Sequence, residues 1–187
     1  GRSVAGNAGA HLKKCVMELG GSDPFIVLDD ADLDATIPQA IASRFGNAGQ
    51  TCIAAKRFIV TPGIADEFVR RFVDEAARLK NGDPNDAATT LAPMARADLR
   101  EQLQKQVDAS LDRGAKLLLG GMPGAGHADY PATVLDHVKP GMPAYSEELF
   151  GPAASILRAR DDEDAARLAN DTDFGLGASV WTRDKAR

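Results

Sequence analysis

Cys52 is the side chain in this sequence whose type and surroundings best suit nucleophilic chemistry. It lies in the stretch 49–57 (GQTCIAAKR), where small and polar residues precede it. A cysteine nucleophile needs thiolate character and access, which a polar loop near backbone N–H groups provides more readily than an apolar core does. A lone cysteine is also a common small core residue, so its identity alone does not decide its role. The other cysteine, Cys15, adjoins an apolar segment, and we predict that it is a packing residue.

Glu18 is the carboxylate most suited to assist such a thiol. It lies between Met17 and Leu19, and a glycine pair, Gly20 and Gly21, follows at once. Two interpretations stay open: the charge anchors the backbone as a helix cap would, or it is a partly dehydrated carboxylate suited to proton abstraction. The histidines offer no alternative base, because they show no paired spacing and are predicted to be surface residues: His11, His127 and His137.

The elements that must position these residues alternate between short apolar runs and helical patterns. Strands are predicted at 25–28, 58–60, 116–119, 133–135, 154–157 and 178–181. Helices are predicted at 66–80, 98–113 and 161–170, and one from an N-cap at Asp32 to about Phe45. Gly- and Pro-rich stretches at 81–94 and 120–131 are predicted to be loops. This alternation predicts an α/β fold with a mainly parallel sheet flanked by helices, and active residues at the carboxyl ends of its strands.

Composition narrows the class of protein. The chain has 187 residues, 44% of them hydrophobic, and a formal net charge of -5. The acidic balance argues against non-specific nucleic-acid binding. No apolar run approaches the ~20 residues that cross a bilayer, so no membrane partner is expected. Two cysteines form no disulfide framework, which favours the cytoplasm. The sequence starts without Met inside a helical pattern, so we expect a piece of a longer protein.

Motifs at four places carry a resemblance to a known family. They are ELGG at 18–21, GQTC at 49–52, EELFGP at 147–152 and NDTDFGL at 170–176. In this order and spacing they resemble the aldehyde dehydrogenase superfamily. The stretches GGSDPFIVLDDADLD and AAKRFIV are most similar to its succinate-semialdehyde dehydrogenase branch. The resemblance covers essentially the whole chain and implies the fold of the family's catalytic domain.

The resemblance also implies roles for individual residues. Cys52 would attack an aldehyde carbon, its backbone N–H would supply half of an oxyanion hole, and Glu18 would activate the water that hydrolyses the resulting thioester. Glu148 would hold the nicotinamide ribose, since a carboxylate accepts hydrogen bonds from hydroxyls, and Phe150 would pack near the nicotinamide. Gly1 resembles the last glycine of a phosphate-side turn, where a helix N-terminus favours an anion. The implied cofactor is NAD or NADP, and no metal is expected.

The same resemblance implies a domain organisation and a reaction. Residues 1–187 would be the nucleophile-bearing catalytic domain, truncated at both ends, with the family's N-terminal cofactor domain and C-terminal oligomerisation segment absent. The parent would oxidise succinate semialdehyde or a similar short semialdehyde to the acid and would form a homo-oligomer, a dimer or tetramer. Several relatives in this branch carry an arginine six residues before the nucleophile, and this sequence has Gly46 there. The alternatives are a dehydrogenase for another aldehyde and a catalytically silent piece that acts in folding or at a subunit interface.

Overall fold

A computed structural model describes all residues, 1–187, as a six-stranded sheet with helices on both faces. The helices are α1 (Arg2–Ala10), α2 (Leu33–Phe45), α3 (Pro62–Ala76), α4 (Ala97–Asp112), α5 (Pro143–Ser146) and α6 (Asp162–Asn170). The strands are β1 (Asp23–Val27), β2 (Ala55–Val60), β3 (Lys116–Leu119), β4 (Thr133–Asp136), β5 (Ala153–Arg158) and β6 (Ser179–Trp181). A short 3-10 turn, Gly46–Gly49, follows α2. None of the helices is both long and apolar enough to span a membrane.

The sheet has the strand order β3-β4-β5-β2-β1-β6. All neighbouring strands run parallel except β3 and β4, which are antiparallel. The central strands β1 and β2 are buried along their whole length, as expected for a parallel sheet that helices cover on both faces. The predicted mainly parallel α/β fold is therefore confirmed.

Two hydrophobic clusters fill the space between the sheet and its helices. One lies under α2 and α3, where the rings of Phe58 and Phe72 pack at a tilt with centroids 4.8 Å apart. The other packs α4, α5 and α6 against the opposite face, with Leu103 and Val107 of α4 fully buried. Both faces of the sheet are thus closed, and the site must lie at an edge or in the loops.

The helix boundaries follow identifiable local signals. Asp32 caps α2 as predicted, because its carboxylate accepts a hydrogen bond from Asp34 N at 3.0 Å. Asp161 caps α6 in the same way. Gly114, with φ of 99°, follows the end of α4 in the left-handed backbone that glycine adopts at helix ends. The prediction was wrong at the start of α3, which begins at Pro62 because proline fits the first helical position.

Candidate active site

The four sequence motifs converge at one edge of the sheet. ELGG precedes β1, GQTC precedes β2, EELFGP precedes β5, and NDTDFGL precedes β6. These four strands are neighbours in the order β5-β2-β1-β6 and run parallel, so their amino ends share one edge. The expectation that the candidate residues lie at the carboxyl ends of strands was therefore wrong. The segments that enter the strands, rather than those that leave them, form this site.

The segment before Cys52 makes a left-handed turn that projects the thiol from the sheet edge. Asn47, Ala48 and Gly49 have φ angles of 52°, 51° and 70°. Left-handed backbone is costly for residues with a Cβ, so the surrounding contacts must hold this turn. Cys52 is a partly exposed free thiol, in agreement with the prediction that it lies outside the core.

Arg44 contacts the first part of this turn from the protein interior. Its side chain is fully buried, and Nη2 donates to the carbonyl oxygen of Gly49 at 2.6 Å. Nε and Nη1 have no protein partner. Burial lowers the pKa of Arg44 to about 9, against the opposing attraction of Glu148. A guanidinium without a partner for two of its nitrogens is an unusual feature in an interior.

Lys56 holds the second part of the turn. Its ammonium donates to the carbonyl oxygens of Thr51 at 3.2 Å, Cys52 at 2.9 Å and Ala54 at 3.2 Å. It also lies 3.4 Å from Glu148 Oε1, while its side chain is only 1% exposed. Burial first, and repulsion by Arg44 second, lower the pKa of Lys56. The ammonium thus links residues 49–54, the candidate nucleophile loop, to the glutamate of the third motif.

Glu148 joins three of the motifs. Its Oε1 accepts a hydrogen bond from Gly21 N at 3.0 Å, in addition to the contact with Lys56. A Cβ on Gly20 would overlap Glu148 Oε2, and one on Gly21 would come within 2.6 Å of the carbonyl oxygen of Cys52. Gly20 has φ of 84°, a conformation that favours glycine, and Gly21 is required by its close approach to the backbone of Cys52. Because Glu148 Oε2 accepts no hydrogen bond from the protein, it is free to accept one from a ligand hydroxyl.

The remaining candidate residues are more exposed. Glu18 is exposed and makes no hydrogen bond, so this chain neither uses it as a cap nor dehydrates it. It precedes Gly21 by three residues, so its backbone lies within roughly 10 Å of the segment that touches Cys52. Phe150 is 36% exposed. Gly1 is the N-cap residue of α1 and lies against the side chain of Leu19, which places α1 beside the first motif.

Three expectations about single residues require correction or addition. Cys15 is exposed, so the prediction that it is a packing residue was wrong. Arg44 lies two residues before Gly46 on a helix, an offset of about 160° that directs its Cβ away from the side on which Gly46 lies, but its side chain reaches the loop that precedes Cys52. Lys56 was not predicted at all. Its signal was present, because Lys56 and Arg57 are consecutive cations in a strand that is otherwise apolar and buried.

Arg57, the second of these cations, fixes the first motif to α6. Nε donates to the carbonyl oxygen of Ser22 at 2.9 Å, and the two terminal nitrogens donate to Leu168 and Ala169. These last two carbonyls belong to the final turn of α6, where a cation is favoured. The site is thereby attached to a rigid element of the sheet and to a neighbouring helix.

A comparison with known proteins identifies the class. A family model described as "Aldehyde dehydrogenase family" matches residues 1–187. The chain is 56% identical over 189 residues to the NAD(P)+ succinate semialdehyde dehydrogenase Sad of Escherichia coli (strain K12), with 100% of this chain and 41% of the relative covered. It is 49% identical to an NADP(+) succinate-semialdehyde dehydrogenase of Mycobacterium avium (strain 104), with 100% and 40% covered.

Solved structures give the same result. The succinate-semialdehyde dehydrogenase of Burkholderia pseudomallei superposes with a TM-score of 0.95 at 40% identity, over 99% of this chain and 39% of that chain. A salicylaldehyde dehydrogenase from Pseudomonas putida G7 superposes with a TM-score of 0.94 at 42% identity, over 98% and 38%. The chain belongs to the aldehyde dehydrogenase family. It spans about 40% of the length of the curated relatives that it matches.

Proposed function

We propose that residues 1–187 are the nucleophile-bearing part of an NAD(P)-dependent aldehyde dehydrogenase whose substrate is succinate semialdehyde or a similar short semialdehyde. The observation that carries the proposal is the meeting of Cys52, Glu148 and the ELGG segment at one edge of the sheet. The names of the relatives support the substrate. The coverage of about 40% of those relatives supports the proposal that cofactor-binding and oligomerisation segments lie outside these residues.

The proposed reaction begins at the exposed side of the nucleophile loop. The sulfur of Cys52 adds to the aldehyde carbon, and the carbonyl oxygen becomes an oxyanion beside the backbone N–H of Cys52. That N–H donates to no protein acceptor, so it is available to this oxygen. After the adduct has been oxidised to a thioester, Glu18 removes a proton from a water molecule. The oxygen of that water attacks the thioester carbon, and the C–S bond breaks to release the acid and the Cys52 sulfur. The exposed position of Glu18 is compatible with direct access to water.

The residues present fit a nicotinamide cofactor. Glu148 Oε2 is free of protein donors, its carboxylate is 22% exposed, and Phe150 beside it offers a partly exposed aromatic face. These side chains would hold the ribose and the nicotinamide respectively, and Gly1 at the start of α1 would face a phosphate. The chemistry that NAD(P)+ supplies when bound is the acceptance of a hydride, which converts the thiohemiacetal on Cys52 to a thioester.

The nucleophile is tested by replacing Cys52 with alanine in the full-length protein that contains these residues. We expect loss of succinate semialdehyde oxidation, followed as NAD(P)H absorbance, with the melting temperature unchanged because the thiol is not in the core. The matched control is Cys15→Ala, which removes the other exposed thiol and leaves turnover intact. Wild-type turnover by Cys52→Ala would refute the mechanism.

The substrate requires a separate comparison. Succinate semialdehyde and butanal have the same chain length and differ in the distal carboxylate. Gly46 provides no charge, and a side chain at this position would meet open space. A preference in kcat/KM for the semialdehyde would support the proposed substrate and require a cation from outside residues 44–57. Equal values would favour an uncharged aldehyde instead.

Two further parts of the proposal concern the state of the parent. Both cysteines are free thiols, which supports a cytoplasmic location. Leu117 and Leu118 on the edge strand β3 are exposed, which supports the proposed homo-oligomer, a dimer or tetramer. The competing function, a silent module that serves folding or assembly, predicts that the full-length protein oxidises no aldehyde.

A further inference from the structure

Side chains bind five of the six carbonyl groups of residues 49–54, the loop around Cys52. Arg44 Nη2 binds the carbonyl of Gly49, and Asn47 Nδ2 binds that of Gln50 at 3.1 Å. Lys56 then binds three more, at positions 51, 52 and 54. One buried ammonium therefore binds the peptide groups on both sides of Cys52.

The direction of the Cys52 N–H follows from the geometry of the peptide bond. In a trans peptide, the C=O of one residue and the N–H of the next point in opposite directions, and no cis peptide occurs in this chain. The carbonyl oxygen of Thr51 points at Lys56 and also accepts from Ala54 N at 3.1 Å. Both of its lone pairs are therefore used, and the N–H of Cys52 must point away from Lys56. This is the open side, where the N–H meets no protein acceptor.

We propose that Lys56 is a positioning residue that aims the backbone N–H of Cys52 at the oxyanion formed when the thiol attacks a carbonyl. This inference deepens the proposed function and rests on it for the aldehyde reaction. Lys56 touches no substrate. It acts through the Thr51–Cys52 peptide. A side chain without a donor at this position would release the carbonyls of Cys52 and Ala54 and would leave the Thr51 carbonyl with the bond from Ala54 N alone.

A carbonyl substrate that needs no cofactor separates this inference from the proposed function. With p-nitrophenyl acetate, the sulfur of Cys52 attacks the carbonyl carbon and the oxygen becomes an oxyanion. The C–O bond then breaks, p-nitrophenolate leaves, and an acetyl thioester remains for water to hydrolyse. Iodoacetamide alkylates the same sulfur by displacing iodide, a reaction in which no oxyanion forms. The ratio of the two rates therefore reports the oxyanion donor and not the thiol alone.

The experiment compares wild type with Lys56→Met and Lys56→Gln in the full-length protein, with exposed Lys105→Met as the control. Removal of one oxyanion donor costs about 10²–10³ in rate, so we expect the p-nitrophenolate burst rate of Lys56→Met to fall by at least about 10-fold. Alkylation of the Cys52 peptide, measured by mass spectrometry, should change by less than about 3-fold, because the thiol stays accessible. Lys56→Gln, which keeps two N–H donors, should lie between Lys56→Met and wild type.

The outcomes are decisive in each direction. A parallel fall of both rates, or no fall in the ester reaction, would overturn the proposal, because either shows that Lys56 does not act through the oxyanion. If Lys56→Met does not fold, the ester-to-alkylation ratio of Lys56→Gln gives the same decision. If the wild type oxidises no aldehyde, the proposed function fails, and the ratio still tests Lys56 with the ester.

Discussion

Replacement of Gly49 by alanine tests whether the left-handed turn before the nucleophile is fixed by packing. Gly49 has φ of 70°, where an L-residue is strained by about 1–2 kcal/mol. A Cβ there would also overlap the carbonyl oxygen of Gly151 and Arg44 Nη2. Overpacking of this kind costs about 1–3 kcal/mol. The folded state should therefore lose roughly 2–5 kcal/mol.

The matched control is Gly46→Ala in the same turn. Gly46 has φ of -54°, and a Cβ would meet nothing within 4 Å. Both substitutions restrict the unfolded chain equally, by about 0.4–1 kcal/mol, so this contribution cancels between them. The difference between the variants then isolates strain and overlap at Gly49.

The assay is thermal unfolding of residues 1–187 followed by circular dichroism. For a chain of this size 1 kcal/mol shifts the melting temperature by about 2–4 °C. Gly49→Ala should thus melt at least about 4 °C below Gly46→Ala, which should equal or exceed wild type. Equal melting temperatures for the two variants would refute the argument that the turn is held by the Gly151 carbonyl and Arg44.

Three more predictions address the chemistry and the fold. Glu18→Gln in the full-length protein should keep the initial burst of NAD(P)H and lower the steady-state rate, because the activation of water follows acylation. Stopped-flow absorbance measures the burst, and its loss would contradict this role for Glu18. Residues 1–187 alone should be alkylated at Cys52 yet oxidise no aldehyde, and turnover equal to the full-length rate would disprove the proposed division of the site. Burial and Asp171 raise the pKa of Tyr145 to about 12. In the unfolded chain this phenol ionises at a pH of about 10. The contribution of neutral Tyr145 to the free energy of unfolding is therefore complete below that pH and is lost as the pH rises through about 12. Tyr145→Phe should therefore make the fall in unfolding free energy at alkaline pH shallower than in the wild type. Urea unfolding at a series of pH values measures this, and the same fall in both proteins would refute the prediction.

The sequence could predict the fold and the motif residues because their signals are local. Apolar runs alternate with helical patterns, so the strands and helices follow from short-range periodicity and from caps such as Asp32. The position of the site at the amino ends of strands was not predicted, although the information was present. Each motif directly precedes an apolar run, and neighbouring parallel strands bring such segments to one edge.

Arg44 and Lys56 could not be assigned from spacing, because their roles depend on tertiary contacts. A helical offset predicts where the Cα–Cβ bond of Arg44 points, but the long side chain reaches around the end of α2 to Gly49. Cys15 was misassigned for the opposite reason, since apolar neighbours in sequence predicted burial that the fold does not supply. Side chains that act through backbone carbonyls leave little trace in a motif, because their partners contribute no particular residue type.

The buried cations also explain why the loop can keep a strained conformation. Two buried positive side chains, Arg44 and Lys56, donate to the carbonyl oxygens of residues 49, 51, 52 and 54, and Lys56 also lies 3.4 Å from Glu148 Oε1. A buried charge without such partners is strongly unfavourable, so release of the carbonyls would remove three acceptors from the ammonium and the one acceptor that the guanidinium has. The cost of exposing these charges to an apolar interior therefore holds the left-handed turn in place. The same contacts bind the carbonyls of residues 49, 51, 52 and 54 to buried cations, and they leave the Cys52 N–H as a donor without a protein acceptor.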